Sequence, residues 1–338
     1  MSQEDDPKRH GGPTTQVGML KSKREPVADL IGAILLERYR VESKLGEGAM
    51  GTVYRGEDIR LRRSVAIKVL HDHLLHDPTM MARFRREAML AARLQHENVV
   101  GVLDVGETTD RMQLMILEFA NGPSLEHIMT GPLERARIIH LVKALLHGLA
   151  HAHAVGLVHR DLKPENVIVD SAANGSEVPR IVDFGIAVLR GPDGSPDTER
   201  LTGEGMIIGT PMYMSPEQAK GAEIDHRSDL FALGVIVYEM LSGQQPFSGT
   251  SLEVAVSNIN TDPPPIADRA PGIVVDPLLE MYARKLMARH LGSRFSTAHE
   301  ALEALDLIDR DREAAERDLA LIEPAKAIKM VSLPKPRP

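Results

Sequence analysis

The stretch HRDLKPEN, at residues 159–166, concentrates carboxylate, ammonium and amide groups in one short turn-rich segment. Asp161 can accept a proton or orient a hydroxyl nucleophile, and Lys163 can neutralise charge on a phosphoryl group in transfer. Asn166, five residues after Asp161, can offer an amide oxygen to Mg²⁺. Because phosphoryl transfer depends mainly on positioned reactants and screened charge, this stretch favours that chemistry. Eight residues alone can match by chance, so the interpretation requires further parts elsewhere in the chain.

A glycine-rich segment, GEGAMGTVY, lies upstream at residues 46–54. Gly46, Gly48 and Gly51 allow the backbone to approach phosphates without interference from Cβ atoms. Dinucleotide-binding folds use the same glycine spacing, but there the segment turns directly into a helix. Here β-prone residues precede the glycines at 38–45 and follow them at 52–55. The segment therefore predicts a loop between two strands that can fold over a nucleotide.

Two further elements follow the glycine-rich loop. Lys68 ends the short apolar segment 65–68, which predicts a strand. Residues 78–95 predict an amphipathic helix, whose apolar face carries Phe84, Ala88, Ala91 and Leu94. Glu87 on this helix is the candidate carboxylate partner of Lys68. It could equally form a local ion pair with Arg83, four residues earlier, which would contribute little to stability.

The triplet Asp183-Phe184-Gly185 begins seventeen residues after Asn166, behind an apolar strand at 180–182. A Gly-, Pro- and charge-rich segment follows at 188–208, and the sequence GTPMYMSPE closes it at 209–217. Such polar composition predicts a mobile surface segment.

Together these motifs resemble those of the protein-kinase family, in family order. The sequences GTVY at 51–54 and YMSPEQ at 213–218 are most similar to bacterial "eukaryotic-like" serine/threonine protein kinases. The resemblance covers residues 38 to about 307. It implies an α+β, bilobal protein-kinase fold with a small β-rich N-lobe containing one long helix and a larger helical C-lobe. The family usually has Ala at the position of Ser215.

The resemblance also divides the chain. Residues 1–29 are expected to form a disordered arm, and residues 30–307 the kinase domain. Within that domain the N-lobe extends to about 117, the hinge is 118–122 and the C-lobe is 123–307. Residues 308–338 are expected to form a helical, Pro-containing tail.

The resemblance implies a role for each motif residue, with ATP and Mg²⁺ (or Mn²⁺) as cofactors. Asp161 would orient the substrate hydroxyl, Lys163 would screen charge, and Lys68 would position ATP through Glu87. The implied metal ligands are Asn166 and Asp183. The implied ATP-binding residues are Leu45, Gly46, Glu47, Gly48, Ala49, Met50, Gly51, Thr52, Val53, Lys68, Glu118 and Ala120.

Regulatory and structural roles follow from the same resemblance. Thr202 is the expected activating autophosphorylation site, with Arg160 and Arg83 receiving its phosphate. Lys163 and Thr210 favour Ser/Thr acceptors over Tyr. The expected structural contacts are an ion pair between Glu217 and Arg294, and hydrogen bonds from Asp229 to the backbone of the catalytic loop, residues 159–166.

Bulk properties limit the alternatives. A net charge of −8 over 338 residues argues against a nucleic-acid-binding surface as the main function. The chain has no cysteine, no apolar run long enough to span a bilayer and a polar start, so a cytoplasmic protein is expected. Protein substrates are the implied partners, and a homodimer is left open.

Two other classes remain as alternatives. An ATP-binding pseudokinase scaffold typically lacks the Lys or one of the two Asp residues, whereas this chain has Lys68, Asp161 and Asp183. A small-molecule phosphotransferase on a related fold is disfavoured by the complete segment at 209–217.

Overall fold

The computed structural model describes residues 30–48, 51–71, 78–184 and 211–320, and the side chains at 78–80, 83, 87, 318 and 320 are not described. The described residues form a β-rich N-lobe with one long helix, followed by a predominantly helical C-lobe. The predicted division into two unequal lobes is therefore present. The expected N-terminal arm lies outside the described residues.

The N-lobe is built on an antiparallel sheet with strand order β1-β2-β3-β4-β6-β5. The strands are β1 (Ile34–Leu35), β2 (Tyr39–Glu47), β3 (Gly51–Asp58), β4 (Arg63–Leu70), β5 (Val102–Glu107) and β6 (Gln113–Glu118). The short strand β1 was not predicted. It pairs only with the start of β2, so its formation depends on that neighbour.

Strand register determines which side chains face the cleft. Lys68 pairs with Val53 on β3 and with Met115 on β6, so these three residues lie on one face of the sheet. Ile67 lies on the opposite face, in the small apolar core with Tyr54. The alternation along β4 thus places Lys68 on the side that faces α1 (Pro78–Ala91).

The helix α1 packs through the face that the spacing predicted. Phe84 and Ala88 contact Met115 and Leu117 from the sheet, and Ala91 and Leu94 join the core of the C-lobe. All four predicted face residues are buried. The helix ends at Ala91, earlier than the predicted Gln95, because turns at 92–94 lead into the loop before β5.

The C-lobe core is formed by long helices packed around a central one. The helices are α2 (Leu125–Ile128), α3 (Arg135–Ala154), α4 (Pro216–Ala219), α5 (Arg227–Ser242), α6 (Ser251–Asn260), α7 (Ile266–Arg269), α8 (Pro277–Leu286), α9 (Ala298–Arg310) and α10 (Arg312–Ala320). The helix α5 is mostly apolar and almost fully buried. Ser124 caps the start of α2, since its side chain accepts a hydrogen bond from the His127 amide.

A two-stranded hairpin follows the catalytic loop directly in the chain. It consists of β7 (Val167–Ser171) and β8 (Glu177–Ile181). Strand pairing continues through polar residues to Ser171 and Glu177. Cross-strand hydrogen bonds extend the hairpin beyond its apolar residues, and only the tip around Gly175 is a turn.

The C-terminal end of the described chain packs on the C-lobe. The helix α9 extends to Arg310, three residues past the predicted domain end at 307, and the chain then bends at Asp311. Asp311 Oδ1 accepts from the Ala314 amide as α10 begins. Ala315 and Leu319 are buried in the same core as α9, as expected for a tail helix that lies on its own lobe. Within the described ranges, no helix has the length and apolarity needed to cross a membrane.

Candidate active site

The catalytic loop is attached to the centre of the C-lobe through Asp229 on α5. The two carboxylate oxygens of Asp229 accept hydrogen bonds from the backbone amides of His159 and Arg160, each at 2.8 Å. His153 on α3 donates from Nε2 to the same carboxylate at 2.8 Å. Burial would raise the pKa of Asp229, but the hydrogen bond and charge of His153, together with the charge and backbone amide of His159, bring the pKa below its usual range. The predicted bonds from Asp229 to the loop backbone are therefore present.

Arg160 has a left-handed backbone, with a φ of 66°, which is uncommon for a residue other than glycine. Its amide is held by Asp229, and its carbonyl oxygen accepts from Gln218 Nε2 at 2.7 Å. Both polar backbone groups are thus satisfied in this conformation, which offsets the strain. Gln218 was not predicted as a site residue, because its contact spans 58 positions and has no local sequence signal.

His159 links the catalytic loop to the chain before Asp183. Its Nε2 atom lies 2.8 Å from the carbonyl oxygen of Val182 and must donate, because a carbonyl can only accept. Its Nδ1 then accepts from the Asp161 amide at 3.3 Å. The ring also packs edge-on against Phe184, with 4.8 Å between centroids. One imidazole therefore holds the segments of both Asp161 and Asp183.

Three polar side chains of the catalytic loop, those of Asp161, Lys163 and Asn166, converge on one another. Lys163 Nζ lies 3.1 Å from Asp161 Oδ2. Asn166 Nδ2 donates to the Asp161 backbone oxygen at 2.8 Å and to Asp161 Oδ2 at 3.3 Å. Because Asn166 uses its nitrogen for Asp161, its amide oxygen is the atom that remains for a cation.

Lys68 reaches across from the N-lobe to Asp183. Lys68 Nζ lies 2.9 Å from Asp183 Oδ1, and the lysine side chain is almost fully buried. Burial would raise the pKa of Asp183, but the charge and hydrogen bond of Lys68, together with the charges of His159 and Lys163, lower the pKa below its usual range, so the carboxylate stays ionised. Asp183 also has a left-handed backbone, with a φ of 60°. The Lys68–Glu87 pair remains a prediction, because the side chain of Glu87 lies outside the described ones.

The donor set fits a magnesium ion. Asp183 supplies carboxylate oxygens, Asn166 supplies an amide oxygen, and no soft ligand lies with them among the described residues of the loop. Mg²⁺ prefers such hard oxygen ligands and keeps several waters or substrate phosphates. The Val182 amide donates to the Asn166 carbonyl oxygen at 2.9 Å, which brings the segments of Asn166 and Asp183 together. Their shared metal site remains a prediction.

The glycine-rich segment forms a hairpin loop, as the pattern predicted. Gly46 pairs with Val53 across β2 and β3, and Gly48 donates to the Gly51 carbonyl oxygen at 2.9 Å. A Cβ on Gly51 would lie 2.1 Å from the carbonyl oxygen of Val69, so only glycine fits there. At Gly46 a Cβ would meet no atom within 4 Å, which leaves the loop's surface open. Ala49 and Met50 lie outside the described residues.

The loop is also held from β4. His71, just after that strand, contacts the Gly48 carbonyl oxygen through Nε2 at 3.0 Å. No sequence motif indicated this contact.

The hinge follows β6. The Glu118 amide donates to the Gly101 carbonyl oxygen at 2.9 Å, and its carboxylate accepts from the Gly101 amide and from Arg180. Leu117, just before the hinge, is buried against α1. Ala120 lies in the open connection after the strand.

The predicted ion pair between Glu217 and Arg294 is present and buried. Arg294 donates to Glu217 at 2.8 and 3.3 Å, and Ser228 donates to Glu217 at 2.8 Å. Burial would raise the pKa of Glu217, but the hydrogen bond and charge of Arg294 lower it below its usual range. Ser215, where the family usually has Ala, caps α4 and donates to Ser228 at 3.2 Å.

The geometry above agrees with comparison against known families. The family model described as "Protein kinase domain" matches residues 39–302. The chain belongs to the protein kinase family. In this kinase domain, the expected phosphorylation site Thr202 and also Thr210, which was predicted to favour Ser/Thr acceptors, lie outside the described residues, as does the side chain of Arg83.

Curated relatives are bacterial kinases. The chain is 38% identical over 293 residues to the serine/threonine-protein kinase pkn3 of Myxococcus xanthus, covering 86% of this chain and 53% of that protein. It is 39% identical over 272 residues to PknB of Mycobacterium leprae, covering 79% of this chain and 42% of that protein. The chain thus spans about half the length of these relatives.

A solved structure shows the same fold. The PknI kinase domain of Mycobacterium tuberculosis superposes with a TM-score of 0.62 at 27% identity, over 81% of this chain and 97% of that one. The bilobal α+β protein-kinase fold predicted from the sequence is confirmed.

Proposed function

We propose that this chain is a serine/threonine protein kinase that transfers the γ-phosphoryl group of Mg·ATP to Ser or Thr hydroxyls of proteins. The observation that carries the proposal is the convergence of Asp161, Lys163 and Asn166 in a loop anchored on Asp229. The ion pair between Lys68 and Asp183 adds a cation and a metal-binding carboxylate from the facing element. Sequence identity to serine/threonine-protein kinases supports Ser and Thr hydroxyls as the phosphate acceptors.

The proposed roles follow from the contacts. Asp161 orients the substrate hydroxyl and accepts its proton, and its carboxylate is held for this by Asn166. Lys163, on the same carboxylate oxygen, screens charge on the transferred group. Lys68 positions the α- and β-phosphates, while Asn166 and Asp183 hold Mg²⁺, which neutralises phosphate charge when bound. Glu118 and Ala120 offer backbone groups to adenine under Leu45 and Val53.

The experiment compares wild type with Asp161→Asn, using labelled ATP and a generic protein substrate. We expect turnover to fall by about 10²- to 10⁴-fold, because positioning and proton acceptance are lost. ADP affinity should stay unchanged, since the nucleotide contacts lie elsewhere. Asp262→Asn, at an exposed aspartate paired with Arg289, is the matched control and should retain activity. Wild-type-like turnover in Asp161→Asn would refute the assignment, and wild-type phosphate transfer to small molecules alone would favour the phosphotransferase alternative.

We further propose Thr202 as the main activating autophosphorylation site. Arg160 precedes Asp161, and together with Arg83 it would receive the phosphate and order the segment that carries it. Glu204 supplies a fixed charge nearby in sequence, and Val188 stands where the family often has a basic residue, so unphosphorylated protein should keep appreciable activity.

Mass spectrometry of protein expressed alone tests this site. Phosphate should be present on Thr202 in wild type and absent in Asp161→Asn, and phosphate in both would refute autophosphorylation. Dependence of the initial rate on protein concentration would show that two copies meet, as in a homodimer.

A cytoplasmic location of the catalytic domain is part of the proposal, because its substrate ATP is supplied there.

A further inference from the structure

Arg180 on β8 forms a contact behind the hinge that no sequence motif indicated. Its Nη2 atom donates to the carboxylate of Glu118 and lies 3.4 Å from the carbonyl oxygen of Val99. The same Glu118 oxygen accepts from the Gly101 amide at 3.2 Å. The guanidinium is mostly buried, with 17% of the side chain exposed. One side chain of the C-lobe hairpin thus binds both the end of β6 and the loop before β5.

The backbone around Arg180 is already fixed against that loop. The Ile181 amide donates to the Asn98 carbonyl oxygen, and the Val100 amide donates to the Ile181 carbonyl oxygen, both at 2.9 Å. Asn98 Nδ2 donates to the Pro179 carbonyl oxygen, also at 2.9 Å. Because these bonds flank Arg180 on both sides, its guanidinium is presented from a rigid base.

Arg180 links the two ends of the proposed nucleotide site. Glu118 lies at the adenine end, in the hinge. Asp183, at the phosphate end, follows Arg180 by three residues in extended chain, a span of about 10 Å. Displacing the hinge relative to Arg180 therefore displaces adenine relative to the metal-binding carboxylate.

We propose that Arg180 is a positioning residue that couples the adenine-binding hinge to Asp183, and so raises the affinity for nucleotides that occupy both ends of the site. This inference rests on the proposed ATP-dependent function. A ligand that spans both ends benefits from their fixed separation, since it does not have to order them on binding. A ligand that touches only the hinge does not benefit from it. The effect of Arg180 should consequently depend on ligand length.

The test uses Arg180→Ala and calorimetry with two probes. A non-hydrolysable ATP analogue with Mg²⁺ spans the site, and adenosine touches the hinge alone. We expect the dissociation constant of the analogue to rise about fivefold or more, within the usual range of coupling between sites. That of adenosine should change less than about twofold. Arg137→Ala is the matched control, because Arg137 also pairs with a β8 carboxylate, Glu177, at 2.6 Å but does not contact the hinge.

Glu118→Gln provides a second variant if Arg180→Ala does not fold. Its amide oxygen can still accept from Gly101, but the charge that holds Arg180 is removed. The dissociation constant of the ATP analogue should therefore again rise more than that of adenosine, by a smaller factor than in Arg180→Ala. Equal weakening of both probes would overturn the inference, because it would indicate a distorted hinge. Unchanged affinity for both probes would also overturn it. Failure of the wild type to bind either probe would instead refute the proposed function, and the inference with it.

Discussion

Replacing Glu217 by Gln should destabilise the C-lobe strongly, because it leaves a buried cation with too few partners. Arg294 is fully buried and donates to Glu217, to the Arg227 carbonyl oxygen at 2.7 Å and to the Ala288 carbonyl oxygen. In Glu217→Gln the carbonyl contacts persist, but the only carboxylate that contacts Arg294 among the described residues is gone.

Removing one partner of a buried ion pair typically costs about 3–5 kcal/mol. Gln keeps the volume of Glu and one acceptor oxygen for Ser228 or Arg294, so we expect the lower end, about 3 kcal/mol. If the free energy of unfolding falls by about 3 kcal/mol per molar urea, the urea concentration at the midpoint of unfolding should fall by about 1 M. The exposed pair of Arg289 and Asp262, at 2.6 Å, is the control, and Arg289→Ala should cost less than about 1 kcal/mol.

The stability that Glu217 contributes should decrease in acid. The folded state lowers the pKa of Glu217 below its ordinary value of 4.5, so its stabilisation is fully present above that pH and is lost as pH falls through the folded-state pKa. The difference in unfolding free energy between wild type and Glu217→Gln should be constant from about pH 6 to 8 and narrow only in acid.

Urea denaturation followed by far-UV circular dichroism is the suitable assay, because the chain has no tryptophan. Both variants are compared with wild type at each pH. A loss in Glu217→Gln no larger than that in Arg289→Ala would refute the reasoning, since the buried pair would then contribute no more than an exposed one.

Three further predictions concern other parts of the domain. Lys68→Met should lower phosphotransfer by about 10²-fold or more while leaving the unfolding of the C-lobe unchanged, and Glu87→Gln should reproduce part of that loss. Full turnover of Glu87→Gln at saturating ATP would contradict the expected pair. Gly51→Ala should destabilise the glycine hairpin by about 1–3 kcal/mol in thermal denaturation, because its Cβ would lie 2.1 Å from a strand carbonyl oxygen, whereas Gly46→Ala should not. Ser215→Ala removes a helix cap and should reduce stability by about 1 kcal/mol with no change in the KM for ATP; a shift in KM would show a role beyond the cap.

The sequence predicted elements whose signals are local. The face of α1 followed from helical spacing, and the strand–loop–strand around Gly48 from β-prone flanks. In each case the residues that determine the element lie within a few positions of one another. The pair of Glu217 and Arg294 was predictable only through the family resemblance, because 77 positions separate its members.

Features that depend on distant partners were missed. Strand β1 has two residues and exists only because β2 pairs with it. Arg180 carries no motif, and its contact with Glu118 appears only when β8 and the hinge are placed together. The hairpin of β7 and β8 extends through polar residues because backbone bonds, not apolar side chains, continue it. The bend at Asp311 likewise has no glycine or proline to signal it.

The attachment of the catalytic loop to Asp229 has a kinetic consequence. The amides of His159 and Arg160 are bonded to a carboxylate on the most deeply buried helix of the lobe. These amides can exchange with solvent only when that helix separates from the loop, so they should exchange on the timescale of global unfolding. In the proposed kinase, the floor of the cleft would therefore stay fixed during turnover, and nucleotide entry and release would depend on the glycine hairpin above it.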